Sequence, residues 1–103
     1  MKESILVVDD ERGQAEILKA ILEREGYNIS LAYDGKGALA AFLRSSPSLV
    51  LTDLKMPDMS GLELMDLILK ISPGAPIIIM TAHGTIDSAV EAIKKGGYDY
   101  LTK

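Results

Sequence analysis

Cysteine is missing from this 103-residue chain, and histidine occurs once, at position 83. Without thiols neither a disulfide nor a thiolate metal site can form, and a single imidazole is too few for a zinc site of the usual kind. Dense basic runs are lacking as well. Eleven Lys and Arg stand against 15 Asp and Glu, for a net charge of −4, and this argues against direct nucleic-acid binding, which depends on neutralising phosphates. Long hydrophobic runs are also absent. The opening MKESILVVDD holds an apolar run of only four residues, Ile5 to Val8, before Asp9, too short for the core of a signal peptide, and no stretch approaches the roughly 20 residues of a membrane span. These absences lead us to expect a soluble, unprocessed cytoplasmic chain whose partner is a cation or another protein, with no contact to membrane or nucleic acid.

What is present is an ordinary globular composition, 48% hydrophobic and 25% charged residues, in a length that suits one domain over residues 1–103. Short apolar runs alternate with helical patterns, as βα units around a parallel sheet require. Ile5 to Val8 reads as a first buried strand. Ala15, Ile17, Leu18, Ile21 and Leu22 then recur at helical spacing, with Gly26 as a stop. Asn28 to Ala32 alternates apolar and polar, as an outer strand would. Asp34 can cap a helix carrying Ala38, Leu39, Phe42 and Leu43. Leu49 to Thr52 is another buried strand, followed by the loop DLKMPDMSG from Asp53 to Gly61. Leu62 to Ile71 is apolar on more than one side, which suits either a helix with wide internal contacts or one that meets a partner. Ile77 to Met80 is a fourth strand. Ile86, Ala89, Val90 and Ile93 predict a helix that ends at Gly96-Gly97, and Tyr98 to Leu101 is a last short strand. Five strands and four helices predict a doubly wound α/β sheet without a fifth helix to cover its last strand.

Ligands of open parallel sheets gather beyond the carboxyl ends of the strands. At those ends the sequence places Asp9 and Asp10 after the first strand, Asp53 after the third and Thr81 after the fourth, with Lys103 following the fifth. Taken singly, each has a plain role: an Asp after a strand forms a turn or caps a helix, Thr81 would be a cap hydroxyl, and Lys103 and His83 would be solvated. Taken together, three converging carboxylates repel one another at a cost of several kcal/mol unless a cation sits among them. All-oxygen ligands select Mg²⁺, or Mn²⁺ in its place. A carboxylate is also a known nucleophile toward phosphorus. Asp53 is the candidate acceptor, because it stands alone at its strand end while Asp9 and Asp10 are adjacent and suited to share a cation.

The ordered set DDE (Asp9 to Glu11), GY (Gly26, Tyr27), DG (Asp34, Gly35), DLKMPDMSGLEL (Asp53 to Leu64), MTAHG (Met80 to Gly84) and YDYLTK (Tyr98 to Lys103) resembles the receiver domain of bacterial two-component response regulators. The resemblance spans nearly the whole chain and is most like the nitrogen-regulator class. It implies a flavodoxin-like sheet of order 2-1-3-4-5. It also implies that Asp53 accepts a phosphoryl group from a sensor histidine kinase and relays the signal to an output module, one concerned with transcription in that class. Asp10, Asp53 and the carbonyl of Lys55 would bind Mg²⁺, with Asp9 acting through a water. Thr81 and Lys103 would contact the phosphoryl oxygens, and Tyr100 would turn inward with Thr81 as the switch. Lys55 and His83 would set the rate of phosphate loss. Such a domain is no turnover enzyme; it catalyses only its own phosphorylation and dephosphorylation.

Receivers normally continue from this lysine into a proline and a final helix, so the reading expects a domain that stops after its fifth strand, with an apolar face over Ile86 to Leu101 open to homodimerisation. Three other functions compete. Gly35, Gly37 and Ala40 form a GxGxxA string at a helix start, as in dinucleotide-binding folds, although it follows the second strand. A Mg²⁺-dependent phosphatase could use Asp53 as a transient nucleophile, but Lys55 stands where such enzymes place their second acid. An interaction module that never takes phosphate would not need the full set of acids. On the receiver reading, replacing Lys55 or His83 is expected to change phosphoryl lifetime, followed by mass spectrometry, more than the melting temperature. A shifted melt with an unchanged lifetime would count against it.

Overall fold

β1 (Ser4–Val8) is almost wholly apolar, and it occupies the interior of the sheet, flanked by β2 (Asn28–Ala32) on one side and β3 (Leu49–Asp53) on the other. The structure is a computed structural model that describes residues 3–80 and 99–101. All strand pairings are parallel and the order is β2-β1-β3-β4-β5, with β4 over Ile77–Met80 and β5 over Asp99–Leu101. This is the order that the resemblance implied. Crossovers are made by α1 (Arg12–Arg24), α2 (Gly35–Ser45) and α3 (Gly61–Ile71). The predicted helix over residues 86–95 and its stop at Gly96-Gly97 lie outside the described residues. So do Tyr98, Thr81, His83 and Lys103.

Burial explains the two kinds of strand. β1 and β3 are covered on both faces and read as unbroken apolar runs, whereas β2 at the sheet edge alternates between exposed and half-buried positions until it ends in buried Ala32. Because successive side chains point to opposite faces, Leu6, Val8, Val50, Ile77 and Ile79 build one layer of core, against Ala38 and Phe42 of α2 and Leu64, Met65 and Ile68 of α3. Ile5, Val7, Leu51 and Met80 face the other way, where Leu18 and Leu22 of α1 cover them.

The helix ends follow local chemistry. The backbone N–H groups of Glu25, Gly26 and Tyr27 bond back to the carbonyls of Leu22 and Glu23, with Gly26 at φ 97°, a left-handed turn that favours glycine. α2 is capped as expected, the Gly37 N–H donating to the Asp34 carboxylate at 2.6 Å. α3 is capped by the Ser60 hydroxyl, which accepts from Glu63 N–H. The broad apolar surface of α3 is explained mainly from within: Leu64, Met65 and Ile68 are fully buried and Leu62 and Leu69 pack against them, while Ile71 stays 50% exposed.

The connection reverses direction between β1 and β3, so the crevice beyond their carboxyl ends is where a ligand is expected. Core packing holds that crevice in place. Leu64→Ala is expected to lower stability by about 2–5 kcal/mol, whereas Leu43→Ala, at a side chain 59% exposed, should change it by less than about 0.5 kcal/mol. Urea melts of the two variants beside the parent would check both values.

Candidate functional site

At the end of β1 the backbone N–H of Asp9 donates to the Ala32 carbonyl at 3.1 Å, carrying the β1–β2 ladder one residue past the strand. The carboxylate of Asp9, fully buried, accepts the N–H of Glu11 at 3.0 Å and bends the chain into α1. Of the two adjacent acids it is therefore Asp9, and not Asp10, that makes the local turn. Glu11 itself is the N-cap of α1, without a capping side-chain bond.

β3 runs one residue further than the apolar pattern indicated and includes Asp53, which is 9% exposed. Val8 pairs with Thr52, so the residues that follow, Asp9 and Asp53, emerge side by side. Asp10 joins them: one carboxylate oxygen from each of Asp9, Asp10 and Asp53 lies within 4.8 Å of the others. Carboxylates this close favour a cation among them. An octahedral Mg²⁺ with ligands at about 2.1 Å spaces its oxygens roughly 3 to 4 Å apart, a spread that a group of carboxylates this close could meet. The donor set is all oxygen, as hard cations prefer.

The backbone behind Asp53 is held closely. The Thr52 hydroxyl, fully buried, donates to the Asp53 carbonyl at 3.0 Å. Leu54 donates its N–H to the Met80 carbonyl and accepts from Gly61 N–H at 2.7 Å, closing the β3–α3 loop at its base. Gly61 sits so near that a Cβ there would overlap the Asp53 carbonyl oxygen, which explains the glycine. The loop then swings over to α2. Asp58 accepts from the N–H groups of Gly35 and Lys36, both at 2.9 Å, and Met59 lies where a side chain on Gly35 would have to go. Lys55 is exposed on the loop, beside a cavity of about 570 Å³ lined by Met56, Pro57, Met59 and Leu62.

The GxGxxA string occupies the first turn of α2. Its amides at Gly35 and Gly37, and that of Lys36 between them, already bond to Asp58 and Asp34, so they are engaged and not offered to a pyrophosphate. Two features went unread in the sequence: the Asp58 bridge, and the Arg12 guanidinium stacked 4.0 Å from the centre of the Tyr33 ring at the same end of the sheet. Of the other candidates, Tyr100 lies in β5 paired with Ile79, and Thr81, His83 and Lys103 fall outside the described residues.

The family profile described as the response regulator receiver domain matches residues 5–103. The chain belongs to that family. It is 45% identical over 102 residues to the transcriptional regulatory protein ZraR of Salmonella typhimurium, covering 99% of this chain. It is 40% identical over 105 residues to the nitrogen assimilation regulatory protein NtrX of Azorhizobium caulinodans, covering 100% of it. The chain spans 23% of the length of each of these relatives. A solution structure of the beryllofluoride-activated NtrC4 receiver domain dimer superposes with a TM-score of 0.91 at 40% identity, over 97% of this chain and 83% of that one. The flavodoxin-like fold and the likeness to the nitrogen-regulator class are thus both upheld. Among the described residues no helix is long and apolar enough to cross a membrane.

The bridge also acts on the protonation of Asp58. The N–H donors of Gly35 and then Lys36 hold its carboxyl below the ordinary value of 3.8, against a smaller opposing effect of desolvation. A depressed folded value means that the bridge contributes stability above the unfolded value, and that this is lost as pH falls through the lower, folded one. The amide resonances of Gly35 and Lys36 are therefore expected to titrate together with a midpoint below 3.8, and Asp58→Asn should abolish that titration in an NMR pH series.

Proposed function

We propose that this receiver domain is a phosphorylation-dependent switch in which Asp53 accepts a phosphoryl group from a phosphohistidine on a sensor kinase. The observation that carries this reading is the meeting of Asp9, Asp10 and Asp53 within 4.8 Å at the carboxyl ends of β1 and β3, beside the point where the chain reverses direction. In the transfer, the phosphorus–nitrogen bond of the donor breaks with its electron pair going to the imidazole, and a carboxylate oxygen of Asp53 forms the new bond to phosphorus. Water later reverses the modification by releasing inorganic phosphate and restoring the carboxylate. Phosphoryl transfer asks a protein chiefly for positioning and charge neutralisation.

Asp10, Asp53 and the Lys55 carbonyl would hold Mg²⁺ or Mn²⁺, with Asp9 acting through a water. The ion supplies charge neutralisation at the phosphoryl oxygens. Thr81 donates to a phosphoryl oxygen, Lys103 pairs with it, and Tyr100 follows Thr81 inward. The altered surface over Ile86 to Leu101 then acts on an output module concerned with transcription, or on a second copy of the domain. The setting is the cytoplasm. The domain turns over no external substrate, and Lys55, standing two residues beyond Asp53 without an acidic side chain, supports this reading over that of a phosphatase.

Incubation with acetyl phosphate and Mg²⁺ followed by intact-protein mass spectrometry tests the proposal. One labile phosphoryl group should be added, and both Asp53→Asn and EDTA should prevent it. Hydrolysis of small phosphate esters over many turnovers would instead establish the phosphatase.

A further inference from the structure

We infer that Asp58, through its bridge to the first turn of α2, is the positioning residue for the loop carbonyl that meets the metal. The inference rests on the reading above, in which the Lys55 carbonyl is a ligand. An exposed loop carboxylate is ordinarily left to water. Here its two oxygens go separately to the N–H groups of Gly35 and Lys36, 23 and 22 residues away in sequence, each at 2.9 Å. With Asp34 taking the N–H of Gly37, the first three amides of α2 are satisfied by one carboxylate from its own cap and one from across the crevice. Both sit at the positive end of the helix, and two charge-assisted bonds to fixed backbone donors set orientation as well as distance.

A second contact acts at the same place. Met59 fills the space where a side chain on Gly35 would lie, so that loop and helix are joined by packing next to the paired hydrogen bonds. The other end of the loop is fastened at Leu54, which bonds to both Met80 and Gly61. Between the two anchors run only Lys55, Met56 and Pro57, and proline fixes one of their backbone angles. The Lys55 peptide is therefore suspended across a short span with both ends held. Releasing the Asp58 end frees that peptide while leaving Asp9 and Asp10 just after β1 and Asp53 at the end of β3.

Calorimetric titration of Mg²⁺ into the parent, Asp58→Ala, Asp58→Asn and Gly35→Ala proteins tests this, with a melt of each to establish folding. Asp58→Ala is expected to weaken Mg²⁺ binding about tenfold, in keeping with the usual effect of losing a group that orients a metal ligand. Asp58→Asn, which keeps one acceptor, should fall between it and the parent. Gly35→Ala leaves every charge in place but displaces Met59, and should weaken binding in the same direction. The rate of phosphorylation by acetyl phosphate should return to the parent's at saturating Mg²⁺, with only the half-saturating concentration shifted. Parent-like affinity in Asp58→Ala would overturn the inference. So would equal weakening in both Asp58 variants with Gly35→Ala unchanged, since that pattern reports lost charge and not lost position. A parent protein that binds no Mg²⁺ would sink the site assignment itself and the inference with it.

Discussion

Like charges forced together at the end of a buried sheet are the constraint on which the rest of this domain depends. Asp9 and Asp53 are carried into one another's reach by β1 and β3, whose apolar side chains are locked into the core on both faces. The acids cannot separate without breaking strand pairing. Core packing thus holds these two acids side by side at the end of the sheet, where with Asp10 they form a group of carboxylates that could hold a metal ion. Everything nearby serves the same end: the Asp9 turn into α1, the Thr52 hydroxyl on the Asp53 carbonyl, and the return of the chain at Gly61.

Much of this could be read along the chain because it rests on local patterns. Unbroken apolar runs marked the interior strands and alternation marked β2 as an edge; both follow from how many faces a strand has covered. Asp34 was legible as a cap from its place before a helical pattern. The acids were legible as a cluster because a parallel sheet brings its strand ends to one side. The end of β3 was read one residue early, since a carboxylate interrupts an apolar run without interrupting the hydrogen-bond ladder.

What escaped the sequence depends on tertiary contact. Nothing in DLKMPDMSG marks Asp58 as different from any loop acid, and its partners are main-chain N–H groups that any residue would supply. Arg12 and Tyr33 are far apart in the chain and meet only because α1 begins beside the end of β2. The glycine-rich start of α2 is the converse case, a motif set aside in the sequence because it follows the second strand. A string suited to cradling phosphate is, in the fold, a turn whose donors are already committed, and spacing alone cannot tell an open amide from an occupied one.

The hydrogen bond from Gly61 to Leu54 closes the loop immediately behind Asp53, and it bears on how such a domain can diverge. A residue inserted or deleted between these two points would shift α3 along its axis or carry the glycine away from the one place where a side chain cannot fit. The loop is consequently fixed in length, and in composition at Gly61 and Asp58, while exposed positions between its anchors can vary. Diversity in the chemistry beside the acceptor must accumulate by exchange of side chains at positions such as Lys55, with the backbone path inherited unchanged.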